Sequence, residues 1–168
     1  MRIYVIGLPG VGKSTIGSNL AKRIEYEFVD MDSYIEKQAM MFVDEIFANY
    51  GEQHFRDLET NALIELKNKK NVIIACGGGV VKNINNKKHM DGLIILLTAS
   101  LDDIDNRIKS SPIERPLMAT NKLIDLYNER KTLYESFKDI EVENNGIDEC
   151  INKIIEKIGG YNEKSINY

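Results

Sequence analysis

The sequence is poor in the residues and runs that mark several classes of protein. Its 168 residues include no tryptophan, three prolines and two cysteines. No apolar stretch comes near the ~20 residues that span a bilayer. Cys76 and Cys150 lie far apart and match no metal-binding spacing, so we expect free thiols, with a disulfide bridge left open as the alternative. These absences argue against a membrane-spanning protein and against a cysteine-ligated metal centre.

Positive charge is also scarce. Lys and Arg total 22 against 26 Asp and Glu, and the formal net charge of -4 argues against a general nucleic-acid binder, which needs a basic face. The N-terminus enters an apolar run directly instead of a signal-peptide pattern, so we expect a cytoplasmic protein without membrane partners. The length corresponds to one domain, and we expect a monomer.

Apolar and amphipathic segments alternate along the chain. Strands are predicted at 2–6, 26–29, 72–75, 93–97 and 139–142, and helices at 13–24, 32–40, 43–49, 52–68, 100–109, 121–135 and 147–158. The alternation predicts a three-layer α/β fold, with a central parallel sheet of about five strands, right-handed crossovers and helices on both faces. One domain would cover residues 1–158, followed by a flexible tail at 159–168.

Residues 7–14 read GLPGVGKS and follow the apolar run 3–6. The pattern G-x-x-x-x-G-K-S between a strand and a helix is typical of a phosphate-binding loop (P-loop), in which glycines let successive N–H groups face one anion. The helix that starts near Lys13 adds the positive end of its dipole. Lys13 would reach the β- and γ-phosphates of a nucleotide, and Ser14 would bind Mg²⁺. A glycine-rich turn that matches by chance is the alternative.

Two carboxylates follow the second predicted strand. Asp30 and Asp32 would point the same way if the strand continues through both residues. Their function would be contact with Mg²⁺-bound water or with a substrate hydroxyl. In the alternative, Asp32 caps the following helix, which leaves Asp30 without a role.

Arg56 lies in the second turn of the helix predicted at 52–68. A cation near a helix start opposes the dipole, so this position favours a fork for a carboxylate or a phosphate. Glu59, three residues later on the same face, could hold Arg56, and an ordinary surface ion pair is the alternative. We interpret His54 as a solvated residue and, from the pattern alone, Arg130 as a surface residue.

Two further segments follow predicted strands. The glycines at 77–79 exceed what a tight turn needs, and the third suggests a ligand pressed against the main chain. The segment 107–116 is charged, contains two prolines and lies between predicted helices, which makes it a candidate lid. Arg115 could close over the phosphates of a nucleotide. Arg107 could lie on an adenine ring, with complementation of the helix dipole as the alternative.

Taken in order, the segments GLPGVGKS, FVDMD, DEIFANYGEQHFRDLE, CGGG, RPLM and YNERKTLYE resemble the shikimate kinase family. Many unrelated proteins share the P-loop alone, whereas its ordered combination with D-x-D, G-E-x-x-F-R and G-G-G is specific. The resemblance implies a P-loop kinase fold of the nucleoside-monophosphate-kinase type, with a mobile substrate-binding segment at 31–60 and a lid at 108–121. It implies that ATP phosphorylates the 3-hydroxyl of shikimate in aromatic amino acid biosynthesis, with Mg²⁺ as cofactor.

The resemblance also implies roles for particular residues. Shikimate would be bound by Asp32, Arg56, Gly77, Gly78, Gly79 and Arg130, with the arginines on its carboxylate. ATP would be bound by Gly10, Val11, Gly12, Lys13, Ser14, Thr15, Arg107 and Arg115. Lys13, Asp32 and Arg115 would be catalytic, and the metal would lie at Ser14 and, through water, at Asp32.

The sequence departs from relatives at two places. Residues 110–112 read Ser-Ser-Pro where relatives often carry more basic residues, and the loop 143–146 lacks an arginine that some relatives place near the adenine. Both departures concern the adenine end of the donor site, where Arg107 and Asn144 are the candidates.

Asp32 is the obvious candidate base for the acceptor hydroxyl, but a carboxylate near Mg²⁺ and arginines is a weak base, and a loose transition state needs little early proton removal. We therefore interpret Asp32 as orienting the hydroxyl. The open alternatives are another small-molecule kinase of this fold, acting on gluconate or a nucleotide, a GTP-dependent switch, and a non-catalytic nucleotide-binding module. Residues 121–124 read NKLI and lack the aspartate of N-K-x-D, while Lys13, Ser14, Asp32 and Arg115 argue against a loss of activity.

Overall fold

The computed structural model describes residues 1–111 and 120–165. The strands are β1 (Arg2–Ile6), β2 (Glu27–Asp30), β3 (Val72–Ala75), β4 (Leu93–Thr98) and β5 (Ile140–Glu143). The helices are α1 (Lys13–Arg23), α2 (Met31–Ala39), α3 (Val43–Leu66), α4 (Leu101–Lys109), α5 (Thr120–Phe137) and α6 (Ile147–Ser165). Two short 3₁₀ segments, Val80–Lys82 and Ile84–His89, separate β3 from β4.

The strands form one parallel sheet in the order β2-β3-β1-β4-β5. β1 lies in the centre, where Ile3 pairs with Ile73 of β3 and with Leu93 of β4. Because β2 and β3 lie on one side of β1 and β4 and β5 on the other, the chain reverses its course across the sheet beside β1. Such a reversal opens a crevice beyond the carboxyl ends of the strands, where ligands bind in open α/β sheets.

The central strands supply the core because they are apolar along almost their whole length. Residues 3–6 are fully buried, and every residue of β3 is buried. α1 packs against β2, β3 and α6, while α5 packs against β4 and the first 3₁₀ segment. These contacts confirm the predicted α/β fold with a parallel five-stranded sheet and flanking helices.

Two expectations from composition can be compared with the structure. Cys76 and Cys150 are buried free thiols, so the expectation of free thiols is confirmed. None of the helices in the described part of the chain is long and apolar enough to cross a membrane.

The boundary between β2 and α2 differs from the prediction. β2 ends at Asp30 and α2 begins at Met31, so the strand does not continue through Asp32. The N-cap is Asp30, whose carboxylate accepts from the backbone N–H of Ser33 at 3.1 Å, so the alternative in which Asp32 caps the helix is wrong. The physical reason is the backbone conformation, because an N-cap has non-helical dihedral angles, as Asp30 has, whereas Asp32 already lies in the first helical turn.

Glycine has opposite effects in α3 and α6. Gly51, with φ of 85° and ψ of 173°, kinks α3 between the two helices predicted at 43–49 and 52–68. In α6, by contrast, the helix continues through Gly159 to Ser165, so the predicted helix end at 158 is wrong. Glycine costs an α-helix only about 1 kcal/mol relative to alanine, which the surrounding helical residues can outweigh.

These two glycines should respond in opposite directions to alanine. A Cβ at either position would meet no described atom within 4 Å, so sterics do not distinguish them. Gly159→Ala should raise the free energy of unfolding by about 0.5–1 kcal/mol, because alanine is the better helix former. Gly51→Ala should lower it by about 1–3 kcal/mol, because this combination of φ and ψ is nearly restricted to glycine.

Urea denaturation of the wild type and of both variants measures these changes. An unchanged stability of Gly159→Ala would contradict a helix that runs through residue 159.

Candidate active site

The P-loop connects β1 to α1, and Gly10 and Gly12 illustrate why it needs glycine. Gly10 and Gly12 have φ of 81° and 102°, a left-handed conformation that favours glycine. A Cβ at Gly12 would lie 2.6 Å from Nδ2 of Asn144, and one at Gly10 would lie 2.7 Å from Cγ1 of Ile108. Backbone conformation and space therefore both account for glycine at these two positions.

The start of α1 supplies donors and positive charge. Gly12 is the N-cap, and because it has no side chain, the first N–H groups of the helix are left for another acceptor. The ammonium of Lys13 donates to the carbonyls of Gly7 and Leu8, both at 2.9 Å, and so lies against the loop. The loop thus combines the N–H groups, the helix dipole and the cation that a polyphosphate needs.

Asp30 connects the P-loop to α2. One of its carboxylate oxygens accepts from the hydroxyl of Ser14, and the other accepts from the backbone N–H of Ser33. Of the two aspartates in the D-x-D pattern, Asp30 is therefore the one that lies at the P-loop serine. Hydroxyl and carboxylate oxygens are ligands that suit Mg²⁺, so Ser14 and Asp30 fit a magnesium ion held beside phosphates.

The carboxyl groups of Asp32 and Glu59 both approach Gly77, at the carboxyl end of β3. A Cβ at Gly77 would lie 2.9 Å from Oδ1 of Asp32 and 2.6 Å from Oε1 of Glu59. Asp32 is half-buried in the first turn of α2, the helix that Asp30 caps. The cap at Asp30 therefore fixes where the second aspartate of the pattern enters the crevice.

Glu59 holds Arg56 in a buried ion pair. Nη1 of Arg56 lies 2.5 Å from Oε2 of Glu59, while Nε and Nη2 donate to Oε1 of Glu52 at 3.3 and 3.2 Å. The side chain of Glu59 is 0% exposed and that of Arg56 is 13% exposed. The alternative of an ordinary surface pair is therefore wrong, because water is excluded from the Glu59 carboxyl.

Gly78 and Gly79 let two arginines approach the main chain. A Cβ at Gly79 would lie 2.4 Å from Nη2 of Arg56. One at Gly78 would lie 3.3 Å from Nη1 of Arg130 and 2.8 Å from Cδ of Pro9 in the P-loop. Arg130 is 8% exposed, so its interpretation as a surface residue is wrong. The structure brings arginines from α3 and α5 to one run of glycine backbone beside the P-loop.

Two contributors to this site were not predicted from the sequence. The hydroxyl of Tyr134 donates to the carbonyl of Gly78 at 2.6 Å, and Glu52 is the second partner of Arg56. Each lies four residues from an arginine of the site, and this helical spacing is the signal that could have found them. Burial raises the pKa of Tyr134 to about 12, so its hydroxyl remains a donor at neutral pH. His54 is exposed, as expected for a solvated residue.

The charge state of Glu59 depends on its burial. Desolvation and, to a smaller extent, the neighbouring Asp32 raise the pKa of the Glu59 carboxyl, which lies at about 7 with all neighbouring groups included. Arg56 and Arg130 lower it, but they offset only part of the desolvation. Glu59 therefore titrates near neutral pH, and its ionised form is the one that pairs with Arg56.

Arg107 and Asn144 both contact the P-loop. Arg107 donates to the carbonyls of Val11 and Asn144 at 3.1 and 3.0 Å, and the side-chain amide of Asn144 donates to the carbonyl of Val11 at 2.9 Å. Arg107 thus makes directed hydrogen bonds in addition to complementing the dipole of α4. Arg115 and residues 112–119 of the expected lid lie outside the described residues.

A P-loop after the central strand of a parallel sheet, with a cation-lined site beside it, defines an α/β P-loop protein of the small-molecule kinase class. A comparison with protein families identifies the particular one, since the family model described as "Shikimate kinase" matches residues 9–159. The chain belongs to the shikimate kinase family.

Curated relatives agree with the family model. A shikimate kinase from Clostridium botulinum (strain Alaska E43 / Type E3) is 40% identical over 159 residues, covering 91% of this chain and 94% of the relative. A shikimate kinase from Thermodesulfovibrio yellowstonii is 37% identical over 163 residues, covering 92% of this chain and 93% of the relative.

Solved structures give the same result. A shikimate kinase from Acinetobacter baumannii, solved in complex with shikimate, has a TM-score of 0.88 and 31% identity, covering 95% of this chain and 93% of its own. A gluconokinase from Sinorhizobium meliloti has a TM-score of 0.62 at 16% identity, covering 98% of this chain and 95% of its own, and shows a similar fold alone.

The raised pKa of Glu59 predicts a pH-dependent stability. Between the ordinary pKa of 4.5 and about 7, the folded chain binds the Glu59 proton more tightly than the unfolded chain, so stability falls as pH rises. Between about pH 5 and about pH 8, the wild type should lose roughly 2–3 kcal/mol more of its free energy of unfolding than Glu59→Gln, because glutamine does not titrate. Urea denaturation across this range measures the difference.

Glu52→Gln is the matched control. A hydrogen bond from Lys82 lowers the pKa of Glu52, so this carboxylate stays ionised over the same range and its variant should keep the wild-type pH dependence. The same pH dependence in the wild type and in Glu59→Gln would contradict the prediction.

Proposed function

We propose that this chain transfers the γ-phosphate of ATP to the 3-hydroxyl of shikimate and that the two arginines at the glycine run bind the acceptor. Membership of the family supports ATP-dependent phosphorylation of shikimate. The observation that carries the assignment of residues is the approach of Arg56 and Arg130, both largely shielded from water, to residues 77–79 beside the P-loop.

The acceptor half would bind the shikimate carboxylate through both guanidinium groups. Three of the five N–H groups of Arg56 donate to Glu52 and Glu59. Within the described part of the chain, one N–H group on each terminal nitrogen is therefore left for a ligand. Arg130 adds a buried Nε that donates to no described residue. A buried donor of this kind needs an acceptor, and a carboxylate is the acceptor that matches its charge.

Asp32 would orient the acceptor hydroxyl. Its carboxylate lies beside Gly77, as the Glu59 carboxyl does, and the cap at Asp30 fixes its position in α2. Phosphoryl transfer has a loose transition state in which positioning and charge neutralisation dominate, so little proton removal is needed before the phosphoryl group moves. Asp32 would therefore accept a hydrogen bond from the hydroxyl instead of acting as a strong base.

The donor half would hold ATP at the P-loop. Lys13 would leave the loop carbonyls for the phosphates, with Gly10, Val11, Gly12 and Thr15 around them, and Arg115 would close over the γ-phosphate. Ser14, with Asp30 and through water Asp32, would hold Mg²⁺. When bound, this ion would neutralise charge on the phosphates.

The proposal predicts acceptor selectivity that depends on Arg56. The wild type should phosphorylate shikimate and leave gluconate and nucleoside monophosphates unreacted in a coupled assay of ADP release. Arg56→Lys should raise the KM for shikimate about tenfold or more and leave the KM for ATP unchanged, because lysine lacks the bidentate fork.

Arg23→Lys is the matched control, since Arg23 lies exposed at the end of α1 and should keep wild-type constants. A raised KM for ATP in Arg56→Lys with an unchanged KM for shikimate would contradict the assignment of Arg56 to shikimate. A wild type that phosphorylates gluconate or a nucleotide in preference to shikimate would contradict shikimate as the acceptor.

Asp32→Asn tests orientation against base catalysis. Asparagine keeps an acceptor oxygen but cannot take a proton, so kcat at saturating shikimate should stay near the wild-type value. General base catalysis contributes up to about 10⁴-fold, and a loss of that size would contradict orientation as the main role.

A further inference from the structure

The carbonyl of Val11 is held by two side chains that are far from it in the sequence. Arg107 of α4 donates to it at 3.1 Å, and the side-chain amide of Asn144, after β5, donates to it at 2.9 Å. Arg107 also donates to the carbonyl of Asn144 at 3.0 Å. These three hydrogen bonds join α4, the loop after β5 and the P-loop into one closed arrangement, which we call the Val11 clamp.

Two of the three residues of the Val11 clamp, Val11 and Asn144, are buried. Asn144 is 5% exposed and Val11 is 1% exposed. The backbone N–H of Asn144 donates to the carbonyl of Thr98, at the end of β4, at 2.7 Å. The amide that holds Val11 is therefore anchored to the sheet, and its hydrogen bonds are shielded from competing water.

Fixing this carbonyl also fixes the next N–H group. In a trans peptide the C=O and the N–H point in opposite directions, and the chain has no cis peptide bond among the described residues. With the carbonyl of Val11 turned toward Arg107 and Asn144, the N–H of Gly12 points away from them. Gly12 is the N-cap of α1, with φ of 102°, so its N–H belongs to the group of donors that faces an anion at the helix start.

We propose that Arg107 and Asn144 are positioning residues that preorganise the P-loop for phosphate, with no requirement for contact with the nucleotide base. The inference rests on the proposed ATP site, and it concerns how that site is kept in shape. An unrestrained glycine-rich backbone has many conformations. If one of them is already held before binding, the conformational entropy lost on binding is smaller. Loss of the Val11 clamp should therefore weaken the binding of any ligand whose phosphates bind to the P-loop, whether or not that ligand carries a base.

Two ligands separate positioning from base stacking. ADP carries both a base and a pyrophosphate group, whereas inorganic pyrophosphate carries no base. Calorimetric titration in the presence of Mg²⁺ should show that Arg107→Ala and Asn144→Leu each raise the Kd of ADP and the Kd of pyrophosphate by the same factor, about tenfold. In ¹⁵N-labelled protein, the shift of the Gly12 amide resonance on adding pyrophosphate should be smaller in both variants.

The control is Arg23→Ala, which removes an exposed arginine of equal charge and should leave both affinities and the Gly12 shift unchanged. Weaker ADP binding with unchanged pyrophosphate binding in Arg107→Ala would overturn the inference and favour stacking on the base. Should Asn144→Leu fail to fold, Arg107→Ala alone decides, because Arg107 is only partly buried. A wild type that binds neither ligand would instead refute the proposed ATP site.

Discussion

The exclusion of water from the Glu59 carboxyl is the constraint on which the proposed acceptor side depends. A buried charge has to be paired and hydrogen-bonded, because neither water nor bulk screening is available to it. Arg56 provides the pair from the same helix, and Gly77 and Gly79 provide the space, since a Cβ at either position would collide with these charged groups. The kink at Gly51 lets α3 change direction before this pair. The pair is thus built by one helix, but it is buried by another part of the chain.

A single carboxylate joins the two halves of the site. Asp30 uses one oxygen for the hydroxyl of Ser14 and the other for the first turn of α2, which carries Asp32. A shift at the P-loop serine would therefore move the cap of the helix that carries Asp32. The Val11 clamp does the same work from the opposite side of the loop, so the P-loop is braced by β2 on one side and by α4 and β5 on the other.

The features that could be predicted from the sequence are the local ones. The strands, the P-loop and the pairing of Arg56 with Glu59 follow from apolar runs, glycine spacing and helical periodicity, each of which acts over a few residues. Burial of Arg130 could not be read this way, because it depends on how α5 packs against the segment after β3. The cap at Asp30 was missed because either aspartate could serve, and the end of α6 was misplaced because glycine tolerates helix and loop alike. The order of the strands was not predicted at all, since the pattern of one chain does not specify which strands become neighbours.

The glycine run 77–79 places main chain without side chains on the proposed acceptor side. A small molecule that binds there would meet peptide groups, and substitution of a side chain cannot alter peptide groups. Any larger residue at Gly77 or Gly79 would first meet the side chain of Glu59 or Arg56. If the proposed acceptor binds there, few single substitutions could abolish the binding of an inhibitor that contacts the same peptide groups and still keep the binding of the acceptor.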